Sequence, residues 1–293
     1  MTSVSLPRPH FADTADWQTL APWITTGLAF LVLFWEPATG VARDWWRDPN
    51  AGHGLLLFPV ALYVAWRSGL RPGVPRPAVG TAILVAAALL RYLSGLAEEL
   101  FTMRVSMIVA LCGIIVFAFG WSQLKRWWLP LTLLFLSIPI PAVVLGSIAL
   151  PLQLKASTLG ASLLMMRHVP VVQSGNIIQL PNMSLFVAEA CSGLRSLTAL
   201  LALGVLAGGT WLGSAWSRGV LILLAVPVAM ALNGVRIFLA GFLVYYVDPR
   251  LADGFLHATE GWVLFVVAFG LLALLAWSLR RVETALAARV GTA

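Results

Sequence analysis

Apolar residues recur along this chain in long, nearly unbroken runs. They show neither the two-residue alternation of a half-buried strand nor the narrow stripe of a surface helix. Eight runs stand out: 20–35, 53–66, 79–96, 105–121, 127–144, 190–207, 219–246 and 255–279. A bilayer crossing takes about 20 mostly apolar residues. In lipid only helices and closed barrels satisfy their own backbone groups, and these runs are too long and too uniformly apolar for barrel strands. The pattern predicts an all-α polytopic membrane protein of about eight transmembrane helices. Trp23, Trp35, Trp66, Trp121, Trp127, Trp128, Trp211, Trp216 and Trp277 lie near run ends, as in an interfacial aromatic belt.

The segment 147–187 departs from this pattern. Apolar and polar residues mix between Ser147 and Arg167, as in an interfacial helix. Residues 169–187 are then rich in β-branched side chains, with turn residues at Ser174-Gly175-Asn176 and Pro181-Asn182. A small hairpin-like extracytoplasmic cap is expected here. No repeat or linker interrupts the chain, so residues 1–293 read as a single integral membrane domain.

Composition narrows the class. Hydrophobic residues make up 60% and charged residues 11%, and mean hydropathy is +0.89. A soluble domain carries about 25% charged residues. A soluble enzyme, a disordered chain and a secreted disulfide scaffold are therefore excluded. The net charge of +7 forms no basic stripe, and no nucleic-acid motif is present, so no nucleic-acid partner is expected.

With a cytoplasmic N-terminus, the inner segments carry Arg8, Arg67, Arg71, Arg76, Lys125, Arg126, Arg218, Arg280, Arg281 and Arg289. The outer segments carry Arg43, Arg47, Arg104, Lys155, Arg167 and Arg250, while Arg91, Arg195 and Arg236 fall within runs. The excess of inner cations favours both termini in the cytoplasm. Residues 1–16 are polar, without the apolar stretch of a cleaved signal. Cys112 lies inside an apolar run and reads as a packing residue, so a structural disulfide with Cys191 is not expected.

Ionisable groups inside a membrane are costly and become candidates for function. Cys191 opens the sixth run in Glu189-Ala190-Cys191-Ser192-Gly193-Leu194-Arg195. Arg236 lies in the seventh, in Asn233-Gly234-Val235-Arg236-Ile237, and His257 opens the eighth, in His257-Ala258-Thr259-Glu260. In the topology above, all three approach the outer face, although Arg236 sits about 15 Å below its run's outer end. A long side chain can snorkel upward across that gap.

Spacing adds neighbours. Arg195 shares a helix face with Cys191, Asn233 with Arg236, and Glu260 with His257. A thiol in a helix's first turn, near a cation, has its pKa lowered. The same residues have plainer readings: a packing cysteine beside Ser-Gly, a charge-neutralising arginine, a solvated interfacial histidine. His53-Gly54, at the start of the second run, would join the site or simply cap its helix.

At these residues the chain resembles the exosortase/archaeosortase family of membrane cysteine transpeptidases. The carriers are Ala188-Glu189-Ala190-Cys191-Ser192-Gly193-Leu194-Arg195, then Asn233-Gly234-Val235-Arg236-Ile237, then His257 with Glu260-Gly261-Trp262. His53-Gly54-Leu55 and the approach 175–181 also fit, and the likeness runs from about Asp48 onward. One departure is Asn50-Ala51-Gly52 ahead of His53, where members often carry an aromatic-Ser pair. The sequence given ends soon after the eighth run, so the extra C-terminal domain that some members carry is not expected.

The resemblance implies Cys191 as nucleophile, completed by Arg236 and His257, with no cofactor and no metal. It implies exported substrates with a C-terminal PEP-CTERM-like tail, made of a Pro-Glu-Pro motif, a transmembrane helix and a basic cluster. Cleavage would occur outside the cytoplasmic membrane, and the new C-terminus would pass to a surface-linked acceptor. Two other classes compete: a transporter or lipid flippase lined by in-run arginines, and a non-catalytic component of envelope polysaccharide export. The first lacks repeat symmetry. In the second, Cys191 would be dispensable.

Overall fold

The computed structural model describes residues 17–48, 50–71, 73–181, 184–186, 194–247 and 255–290. Among them run nine α-helices: α1 (Trp17–Arg47), α2 (Gly54–Ser68), α3 (Pro77–Leu96), α4 (Leu100–Arg126), α5 (Trp128–Leu136), α6 (Ala142–Met166), α7 (Leu194–Trp211), α8 (Ala215–Tyr246) and α9 (Phe255–Val290). A small antiparallel sheet follows α6: β1 (Val172–Ser174), β2 (Ile177–Gln179) and β3 (Ser184–Phe186), in that order.

Many large apolar side chains point away from the protein. Val32 is 81% exposed, Leu56 72% and Leu223 71%. Such a surface suits hydrocarbon, not water. Where lipid is the solvent, helices associate through close packing, and small residues mark the contacts. A Cβ on Gly80 of α3 would lie 2.5 Å from the Phe117 Cα of α4. A Cβ on Gly160 of α6 would lie 2.5 Å from Ile237 Cγ2 of α8, and one on Gly234 2.5 Å from Leu159 Cδ2.

Four helical segments are long and apolar enough to cross a membrane: Leu20–Arg47, Pro77–Leu96, Leu100–Arg126 and Ala215–Tyr246. Gly54–Ser68 and Leu197–Trp211 are shorter apolar helices. By length and composition, then, the described residues reach four of the eight expected crossings. The fifth apolar run is not one helix. It breaks after Leu136, and α6 starts anew at Ala142.

The mixed segment after Ser147 is helical, as expected, and one of its faces packs into the protein. Gln153, Ala156, Ser157, Ala161 and Leu164 of α6 are buried, along the contact with α8. Gln153 and Ser157 lie on that buried face, while Lys155 and Thr158 are exposed. The cap is a three-stranded meander, close to the expected hairpin. Ser174 pairs with Ile177 across Gly175-Asn176, and Gly175 adopts φ +62°, which a two-residue hairpin turn requires. Ile178 of β2 is fully buried and joins Leu164, Val169, Ile237 and Val244 in one core cluster.

The loops expected on the cytoplasmic side gather at one end of the bundle. There Gln123 is fully buried. Its carbonyl oxygen accepts from the Arg71 backbone N–H, and its amide donates to the Gly69 carbonyl. Arg126 donates to the Ser68 carbonyl, and Arg218 stacks on Trp128 at 5.0 Å. The Glu283 carboxylate of α9 accepts from the Gly213 and Ser214 backbone N–H groups at the start of α8. Hydrogen bonds from the Ser217 hydroxyl first, and from the Ser214 N–H next, hold that carboxyl below the usual carboxylate range.

Candidate active site

At the opposite end, the chemistry begins with the break after α5. Residues 137–141 read Ser-Ile-Pro-Ile-Pro. Pro139 and Pro141 have no N–H for the carbonyls of Phe135 and Ser137, four residues back. Side chains and tighter turns fill the gap. Ile138 N–H reaches the Phe135 carbonyl at 3.1 Å. Trp45 Nε1–H donates to the Ser137 carbonyl at 2.7 Å. His53 Nε2 meets the Leu136 carbonyl at 3.1 Å.

A carbonyl only accepts, so His53 Nε2 carries a proton. Its Nδ1 is buried and has no hydrogen-bond partner among the described residues. The neighbouring glycine has a steric cause. A Cβ on Gly54 would stand 2.0 Å from Trp45 Nε1. Only glycine lets the indole lie over the start of α2 and reach Ser137.

Between these parts lies a pocket of about 30 Å3, room for roughly two waters. Asp48, Asn50, Ala51 and His53 line it from the loop before α2, Pro139 and Ile140 from the break, and Thr198 from α7. Asp48 is held by the Asn50 backbone N–H, 2.8 Å from its Oδ1. Thr198 follows Arg195 by three residues on α7, a spacing that shares one helix face. Helical spacing could have found it from sequence. Nothing local in the sequence points to Trp45 or Asp48.

α7 and α8 run antiparallel. Gly204 packs against Ile222 and Ala225, and Gly208 against Arg218. The same offset sets residues 194–198 beside 229–233. Asn233 is buried, and its Nδ2 has no hydrogen-bond partner among the described residues. Arg236, half-buried, follows one turn later. Asn233 therefore stands level with α7's first residue, and Arg236 just beyond that end of the helix. α8 reaches some ten residues past it because α6 and the cap pack along that extension.

The remaining expected residues are less fully visible. Arg195 is the second residue of α7, and His257 and Glu260 lie in the first two turns of α9; the side chains of all three lie outside the described residues. Cys191 and Glu189 lie outside them entirely. The structure thus brings the His53 loop to α7 and sets Asn233 and Arg236 near α7's start. Of the in-run cations, Arg91 has a structural partner, pairing with Glu36 of α1 at 2.7 Å. Arg104, expected in an outer loop, is buried within α4 and pairs with Asp44 at 2.6 Å. Both tie α1 to the α3–α4 hairpin.

No curated protein and no solved structure matches the chain significantly. A family model described as transmembrane exosortase matches residues 45–274. The match opens at the Trp45 anchor, runs through the pocket and α7–α8, and ends within α9. It takes in well over half of the chain, and the protein belongs to the transmembrane exosortase family.

Proposed function

We propose that this exosortase is a membrane-embedded cysteine transpeptidase that removes C-terminal sorting tails from exported proteins. Cys191 is the nucleophile, with Arg236 and His257 completing the set. Arg195, Asn233, Glu260, Glu189 and His53 support it. Family membership gives the reaction class. The observation that carries the site assignment is the α7–α8 register, which sets the Asn233–Arg236 turn near the start of the helix that follows Cys191.

The chemistry follows from these groups. Cys191 precedes α7 by three residues, and a helix N-terminus favours a thiolate. The thiolate attacks the scissile carbonyl and a C–S bond forms. Arg236 holds the oxyanion, and such preorganised charge is often the largest catalytic term. His257 gives the proton to the leaving amine as the C–N bond breaks. The acyl group then passes from Cys191 to water or to a surface-linked acceptor.

In this reading the chain crosses the cytoplasmic membrane about eight times, with α2, α7 and further helices completing the count. Both termini are cytoplasmic and the site faces the exterior. The clustering of Arg67, Arg71, Lys125, Arg126 and Arg218 loops at one end supports that orientation.

Co-expression with an exported reporter bearing a Pro-Glu-Pro tail tests the reading. Wild type should release the tail, and Cys191→Ala, accumulating in the membrane, should not. Tail removal by Cys191→Ala would overturn the nucleophile assignment. The reporter's product mass separates hydrolysis from transfer.

A further inference from the structure

We propose that the end of the bundle opposite the pocket binds anionic phospholipid, its phosphate seated beside Arg218 of α8 and Arg280 and Arg281 of α9. The inference goes beyond the transpeptidase reading and does not depend on it.

Four distant segments assemble this surface: the 67–76 loop, the α4–α5 corner, the α7–α8 turn and the far part of α9. Gln123 and Arg126 hold the loop, and Arg218 lies on Trp128. Glu283 of α9 accepts from the Gly213 and Ser214 N–H groups, which brings the 280–283 turn beside the first turn of α8 and Arg218.

Charge here is one-sided. Arg67, Arg71, Arg76, Lys125, Arg280 and Arg281 are all exposed. The ion pairs among the described residues, Arg91–Glu36 and Arg104–Asp44, both lie elsewhere. Glu283 is the acid that the described residues place at this end, and backbone N–H groups already hold both its oxygens. By contrast, Asp44, Asp48, Glu98 and Glu99 accompany the cations of the opposite end.

Topology requires only the number of inner cations. The geometry goes further. The Arg218 guanidinium lies 5.0 Å from the centre of the Trp128 ring, and that of Arg281 4.9 Å from the Trp277 ring. Trp66, Trp211 and Trp216 are exposed around the same end. Indoles settle at the headgroup level of a bilayer, so stacking fixes both guanidinium groups at the depth of lipid phosphates. The ring engages the flat face of a guanidinium, and the N–H edge remains for an oxyanion.

The apolar surface selects a lipid over a free ion. Leu223 of α8 and Leu274 of α9 are exposed one to two turns farther into the bilayer, where acyl chains of the bound molecule lie. A zwitterionic lipid brings its own ammonium and gains less from a cationic surface, whereas a net negative headgroup gains from each cation.

The test uses the full chain purified in nonionic detergent and titrated with dioleoylphosphatidylglycerol or dioleoylphosphatidylcholine in mixed micelles. Native mass spectrometry counts the bound lipids. Wild type is compared with Arg280→Gln/Arg281→Gln and, at the opposite end, with Arg43→Gln/Arg47→Gln. All four side chains are exposed, so the fold is retained.

Wild type should prefer phosphatidylglycerol by on the order of 10-fold. The α9 double variant should lose on the order of 10-fold in affinity for it, each surface cation contributing roughly fivefold. The Arg43→Gln/Arg47→Gln protein should keep the wild-type affinity, and salt at about 1 M should remove most of the preference. Equal binding of the two lipids, or equal losses in the two double variants, would overturn the site. A large excess of inorganic phosphate should leave the lipid bound; its displacement by phosphate would overturn lipid as the occupant.

Discussion

Replacing Gly54 by alanine places a methyl group 2.0 Å from Trp45 Nε1, 2.3 Å from Cδ1 and 2.6 Å from Cε2. Carbon contacts settle near ~3.5 Å, so the indole must retreat by about 1.5 Å. Its hydrogen bond to the Ser137 carbonyl, 2.7 Å in the native fold, then passes the limit of a real bond. Pro141 has no N–H to replace it. Overpacking costs about 1–3 kcal/mol, and the stranded carbonyl about 1–3 kcal/mol more. Alanine's better helix propensity returns at most about 1 kcal/mol.

The net expectation is a loss of about 2–4 kcal/mol, read by denaturant titration of the purified protein in detergent with tryptophan fluorescence. Gly27→Ala in α1 is the control, since nothing lies within 4 Å of its Cβ position; it should be neutral or slightly stabilising. A double-mutant cycle isolates the cause. In a Trp45→Ala background, Gly54→Ala should lose most of its cost. Additive losses, or a Gly54→Ala protein as stable as Gly27→Ala, would refute the steric account of the His53-Gly54 pair.

Gly80→Ala drives its methyl group into the Phe117 backbone, whereas Gly234→Ala meets side-chain atoms of Leu159, from Cβ to Cδ2. Gly80→Ala should therefore be the more destabilising by about 1–2 kcal/mol in the same titration, and the reverse order would be wrong for this packing. The Glu283 carboxyl titrates below its ordinary range in the folded state, so its contribution is present above the unfolded value near ~4.3 and is lost as pH falls through the folded value. Amide exchange at residues 213–218 should rise in that window for wild type, and Glu283→Gln should flatten the dependence; an unaltered pH response in Glu283→Gln would count against this tie. A membrane-impermeant maleimide added from outside should label Cys191 and spare Cys112 inside α4. Labelling confined to inverted vesicles would reverse the proposed orientation.

Much of this protein could be read from the order of its residues. Runs of apolar side chains specify helices in lipid because no other open structure satisfies backbone groups there. The turn at Gly175-Asn176 was visible because a two-residue hairpin demands positive φ. The residues Cys191, Arg236 and His257, with their spacing, marked a family through local motifs. Contacts between distant segments were not visible in this way. Sequence cannot tell a polar side chain that meets water from one that meets another helix, and Ser157 and Gln153 of α6 are of the second kind. Nor could it tell that Arg91 has a partner 55 residues away in Glu36.

The register of α8 against α7 was decided by tertiary structure alone. α8 outlasts α7 because α6 and the cap pack along its extension, and chain length by itself carries no such information. The role of Gly54 likewise depends on an indole nine residues earlier and a carbonyl more than eighty residues later. Local propensity and hydropathy act within a few turns, and they determined the helices and the cap. Packing and the satisfaction of stranded carbonyls act across the chain, and they alone brought the His53 loop, the proline break and the start of α7 around one pocket.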